Sequence, residues 1–107
     1  MKIIYNSIIP FKGFSAMNLF GLMFVRKECK NRISDKTINH ESIHTEQMKE
    51  LGFIPFYIIY FIEWIVRLFK KGNAYRNISF EQEAYSNETN LDYIKTRKRY
   101  TWLKYWK

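Results

Sequence analysis

The chain has 107 residues, of which 47% are hydrophobic and 19% aromatic, and a formal charge of +8 from 18 Lys and Arg against 10 Asp and Glu. This length suits one domain spanning residues 1–107, and the composition excludes a disordered chain or a Gly/Pro-rich linker. One cysteine, Cys29, excludes an internal disulfide and a Cys-rich zinc cluster, and points to a reducing compartment with an inert thiol.

The first elements are short. "KIIY" at residues 2–5 and "AMNLFGLMFVR" at 16–26 are rich in β-branched, aromatic and aliphatic residues, which predicts two or three strands with Gly13 and Gly21 as turns or bulges. The apolar run after Lys12 is broken by Asn18 and by glycines, and no small-residue cleavage site follows, so no signal peptide is expected. The expected location is cytoplasmic, with association to a membrane surface as a further expectation.

After the polar "KECKNRISDK", Ser34, Asp35 or Thr37 can cap a helix that runs through both histidines to Leu51, where Gly52 stops it. Pro55 suits the first turn of a second helix reaching about Lys70. On it Phe56, Tyr60, Glu63 and Arg67 share one stripe and apolar residues cover the rest, which predicts a helix mostly buried in protein or lipid. The stretch is long enough for a membrane span, but Glu63 and Arg67 would each be costly in hydrocarbon. Ser79 and Gln82 have the spacing of a capping box opening a third helix, and the basic, aromatic tail from Leu91 continues as helix. Strands followed by helices make the fold class α+β: a small N-terminal sheet, antiparallel or mixed, then three or four helices.

The helix expected to run to about Leu51 contains "NHESIHTEQ", with the only two histidines of the chain four residues apart around a glutamate. Residues i and i+4 lie on one helix face, so His40 and His44 can aim their imidazoles at one ion, for which zinc is well suited. Glu41 is turned about 100° from His40 and stands beside that ion. From there it can act as general base towards a water that the metal acidifies, with hydrolysis of an amide as the natural reaction.

A catalytic zinc site normally has three protein ligands and one open position. No third histidine exists, so the remaining ligand should be a carboxylate, with Glu63, Glu81 and Glu83 as candidates. Glu63 lies in an apolar helix where a metal would relieve an unpaired charge, although Arg67 one turn on does so more simply. Glu81 and Glu83 flank the stripe of Phe80, Ala84 and Leu91 on opposite sides, and periodicity does not separate them.

"NHESIHTEQ" followed by "SFEQEAY" resembles the zincin-like metallopeptidases of gluzincin type, small proteins with H-E-x-x-H-x-x-Q and a downstream E-x-x-A. The resemblance covers residues 39–47 and 79–85, and the strand ahead of them loosely. It implies that Glu81 is the third zinc ligand, beside His40 and His44, with Glu41 as the catalytic base of a peptidase. Relatives often have an acid after E-x-x-A that orients a zinc-bound imidazole; here Tyr85 stands there, and Gln47 could supply a hydrogen bond instead. Tyr75, Arg76 and Tyr85 are the candidates for stabilising an oxyanion. The resemblance further implies an edge strand, over Leu19 to Arg26, running beside the histidine helix, where an extended peptide could pair.

Expected partners are therefore a peptide or protein substrate and, through residues 53–69 and the tail "RKRYTWLKYWK", a membrane surface. The alternatives to a hydrolase are a zincin-fold binding module without activity and a basic protein held at a membrane surface. Nucleic acid is not expected, because the cations form no recognisable module.

Overall fold

A computed structural model describes residues 2–8 and 16–106. Three strands, β1 (Ile3–Asn6), β2 (Ala16–Leu19) and β3 (Leu22–Arg26), precede four helices, α1 (Asp35–Leu51), α2 (Ile54–Leu68), α3 (Ser79–Asn87) and α4 (Tyr93–Thr96). Short 3-10 segments occupy Lys27–Arg32 and Thr101–Tyr105. The fold is α+β. The turn expected at Gly13 lies outside the described residues.

The sheet is mixed, in the order β1-β3-β2, with β1 parallel and β2 antiparallel to β3. β3 is therefore the central strand, and its alternate residues Met23 and Val25 are fully buried. This corrects the expectation that Leu19 to Arg26 forms the edge beside the histidine helix: the strand there is β2, which packs on α1 and is an edge of the sheet among the described residues. Phe20 and Gly21 join β2 to β3 with φ of 51° and 87°, the left-handed pair a two-residue hairpin turn requires. Phe20 tolerates that backbone because its N–H donates to the Tyr57 hydroxyl and its ring packs edge-on against Tyr57.

Ser34 caps α1 by accepting from Thr37 N–H, and Gly52 ends it with φ of 74°. The chain then bends by 112° into α2, whose first turn contains Pro55. Among the α2 side chains only Phe56 and Glu63 are buried, so of the two expected ways of covering this helix, protein or lipid, the protein covers only one side. Among the described residues no single helix is long and apolar enough to cross a membrane.

The capping box expected at Ser79 and Gln82 does not form. Ser79 is already the first helical residue, and its N–H and Oγ donate to Glu63 at 2.6 and 2.7 Å, so the N-terminus of α3 is capped from α2 by a carboxylate. The tail is not one continuous helix either: it breaks between α4 and the second 3-10 segment. That break lets Trp102 turn inward to join Met48, Phe56, Ile78 and Phe80 in the main core. Ala84 is fully buried on α3, which packs against both α1 and the second 3-10 segment.

Candidate metal centre

Three local devices bring α1 and α3 into register. Asn39, buried beside the first histidine, donates its amide to the carbonyls of Asn87, Glu88 and Asn90 at 3.3, 2.8 and 3.0 Å, satisfying the free acceptors at the C-terminal end of α3. Gln47 donates Nε2 to Phe80 O and to Glu83 Oε1 at 3.0 and 2.9 Å. Arg97 forms a buried double ion pair with Glu83 and Glu50, and Tyr93 adds a hydrogen bond to Glu83 at 2.7 Å.

Within this frame His40, His44 and Glu81, all buried, present ligand atoms within 4.8 Å of one another. The two imidazole rings lie 4.9 Å apart, and Nε2 of each is 3.1 Å from the same atom, Glu81 Oε1. Glu81 Oε2 accepts from the Tyr60 hydroxyl at 2.6 Å.

The outer ring nitrogens fix the chemistry of the inner ones. Gln47 Nε2 is committed to two acceptors, so its Oε1, 2.8 Å from His44 Nδ1, must accept a proton from that ring. His40 Nδ1 likewise donates to the Glu88 carboxylate at 2.7 Å. In the neutral rings both Nε2 lone pairs then point at a carboxylate oxygen, three acceptors with no donor among them. A proton on the rings or a shared cation resolves the conflict. Two imidazole nitrogens and one carboxylate oxygen form a donor set that suits zinc, so the residues fit the ion.

Without an ion the cluster binds protons. Burial disfavours a charged His44, but the adjacent Glu81 carboxylate outweighs it and pushes the imidazole up to about 9. Burial also acts against the Glu81 charge, yet His44, His40 and Tyr60 hold that carboxyl well below the usual carboxylate range. Glu41 borders the same cleft, and burial raises its carboxyl above the ordinary value, partly offset by the two histidines.

The cleft has a volume of about 300 Å³ and is bounded by β2, Glu41, His44, Glu81 and three tyrosines, Tyr57, Tyr60 and Tyr75. Asn18 ties β2 to the site: its Nδ2 donates to Glu41 O and Thr45 Oγ1, both at 2.9 Å, while its backbone oxygen accepts from Tyr57. Tyr75 is thus the oxyanion candidate that reaches the cleft. Tyr85 instead packs edge-on against His40 at 4.6 Å, with Arg76 stacked 4.4 Å from its ring, and both border a separate surface hollow.

Of the three candidate carboxylates, Glu81 stands with the histidines. Glu63 caps α3, and Glu83 is occupied by Arg97, Tyr93 and Gln47. The acid that hydrogen-bonds the outer nitrogen of His40 is Glu88. The sequence reading gave Asn18 and Tyr60 no part in the site and did not single out Glu88; the one signal available was that Glu88 follows Glu81 by two helical turns and so shares its face. Comparison of the chain with protein-family models, curated proteins and solved structures gives no match.

Proposed function

We propose that the protein is a zinc-dependent hydrolase acting on peptide bonds, with His40, His44 and Glu81 holding the ion and Glu41 as general base. One observation carries this reading: two imidazoles, each with its outer nitrogen committed as a donor, converge on one carboxylate oxygen beside an open cleft that also exposes Glu41. When bound, the ion supplies Lewis-acid polarisation of a carbonyl and acidification of a water.

Glu41 does the proton work. It lines the cleft beside His44 and is placed to take a proton from the attacking water and return it to the leaving amine nitrogen as the C–N bond breaks. Burial, then the neighbouring Glu81, keeps the Tyr75 hydroxyl protonated, so it is a donor for the developing oxyanion. Glu88 and Gln47 hold the two imidazoles in the tautomer that leaves Nε2 free. The outer edge of β2 offers backbone groups along the cleft to an extended substrate.

Metal analysis of the purified protein, paired with a peptide-hydrolysis assay, tests the proposal. The expected result is one zinc per chain, lost in His40→Ala and in Glu81→Ala, and retained in Glu41→Gln with turnover abolished. Zinc content indifferent to the first two substitutions rejects the site. Turnover that survives Glu41→Gln rejects the mechanism, and zinc binding with no hydrolysis of any peptide leaves a binding module.

A further inference from the structure

The inner side of α2 is set by buried Phe56 and Glu63 and half-buried Tyr60 and Arg67. Its outer side exposes Ile54, Ile58, Phe61, Ile62, Ile65 and Leu68, with Trp64 at one margin and Val66 at the other. At 100° per residue this arc covers about 200° of the helix and contains no charged side chain. A helix face turned to water ordinarily carries charges, and an apolar surface of this extent marks an interaction site.

Two observations identify what covers it. First, from Gly52 to Ile78 the chain has four cations, Arg67, Lys70, Lys71 and Arg76, and one acid, Glu63, which is buried against Ser79. Lys70 and Lys71 follow α2 directly and are exposed. A second copy seated on this face would bring together two molecules of charge +8, whereas anionic headgroups neutralise the same cations. Second, α2 has 15 residues, a length of about 22 Å, which is short of the roughly 30 Å of bilayer hydrocarbon. Its inner side is already packed on protein, so the helix suits a position parallel to the surface, with Trp64 and Phe61 at the depth aromatic side chains favour.

We propose that the outer face of α2 docks the protein on an anionic lipid bilayer. The face adjoins the metal cleft: Tyr57, Tyr60 and Tyr75 border the cleft and, together with Phe61 and Trp64, also border an apolar hollow on the surface. Docking therefore sets the cleft beside the bilayer and favours polypeptide segments at a membrane surface as substrates. This last consequence rests on the hydrolase reading; the docking itself does not.

Flotation of the full chain with phosphatidylcholine vesicles, with and without phosphatidylglycerol, tests the docking. Binding is expected to vesicles containing phosphatidylglycerol at low salt, and weaker binding to phosphatidylcholine alone. Ile58→Glu with Ile62→Glu changes only exposed positions and should lower binding tenfold or more, with the circular dichroism spectrum unchanged. Lys70→Glu with Lys71→Glu leaves the apolar face intact and should remove the preference for the anionic lipid. His40→Ala and Glu81→Ala should float like the unaltered protein, so a failed metal site and a failed docking surface are separable. The proposal is overturned if the unaltered protein does not float with anionic vesicles, or if the two glutamates on α2 leave flotation intact. A dimer in solution that Ile58→Glu dissociates overturns it too, by giving the face to a second copy.

Discussion

His40 Nδ1 donates to Glu88 Oε2 at 2.7 Å while Nε2 of the same ring faces Glu81 Oε1 at 3.1 Å, so a single later segment offers this imidazole a carboxylate on both sides. The two acids do different work. Glu81 competes for whatever cation sits between the rings, and Glu88 orients the ring.

Replacing Glu88 by Gln should therefore weaken zinc binding without removing it. The expected loss is about 10- to 100-fold in affinity, the range for a hydrogen-bond partner of a metal ligand. Competition against a chromophoric chelator measures it, with Glu81→Gln as the reference for losing a ligand outright. Equal losses in the two variants would mean that Glu88 belongs to the ligand set.

Proton binding at the cluster makes the stability of the metal-free protein depend on pH in a defined direction. Folding raises His44 from its ordinary 6.5 to about 9, so its contribution is complete below pH 6.5 and disappears as pH rises through 9. Folding lowers Glu81 from its ordinary 4.5, so its contribution is present above pH 4.5 and is lost on further acidification. Metal-free protein should thus be most stable between these limits. Zinc displaces the His44 proton, so the gap in melting temperature between zinc-loaded and metal-free protein should widen from pH 6.5 to 9. Thermal melts across pH 4 to 10, with and without zinc, give both curves; a constant gap would contradict the assignment.

Glu63 and Glu81 are both buried acids, and substitution separates capping from ligation. Glu63→Ala strips the N-terminus of α3 of its carboxylate and leaves the Ser79 donors unpaired, for a loss of about 1–3 kcal/mol in unfolding free energy. Zinc affinity of the folded variant should stay within a few-fold of the original. Denaturant titration and metal competition on the same preparation report the two quantities.

Arg97 should matter more to folding than any group in the cleft. Its removal leaves Glu83 and Glu50 buried without their counter-ion, and Arg97→Leu is expected to cost about 3–5 kcal/mol. Replacing Arg97 and Glu83 together, by Leu and Gln, should recover part of that loss by removing one uncompensated charge. Urea unfolding of the single and double variants measures the coupling.

Helix periodicity was enough to put His40 and His44 on one face and to start and stop α1, because caps and i to i+4 spacing are local properties that a helix expresses wherever it packs. The same locality explains the limits: Glu63, Glu81 and Glu83 look alike from their own helices, and the resemblance to gluzincins, not the spacing, favoured Glu81. What distinguishes them is what faces them across the fold. Ser79 meets Glu63, Arg97 meets Glu83, and the imidazoles meet Glu81.

The chain alone determined the strand and helix types, the shared face of the two imidazoles and the excess of positive charge, since these follow from residue order and backbone geometry. Only the tertiary arrangement decided that β3 is central, that Glu88 completes the environment of His40, and that α2 turns its apolar side outward. Those outcomes depend on which surfaces meet, and a contact between residues some forty positions apart is set by packing free energy summed over the whole core, which no local stretch of sequence contains.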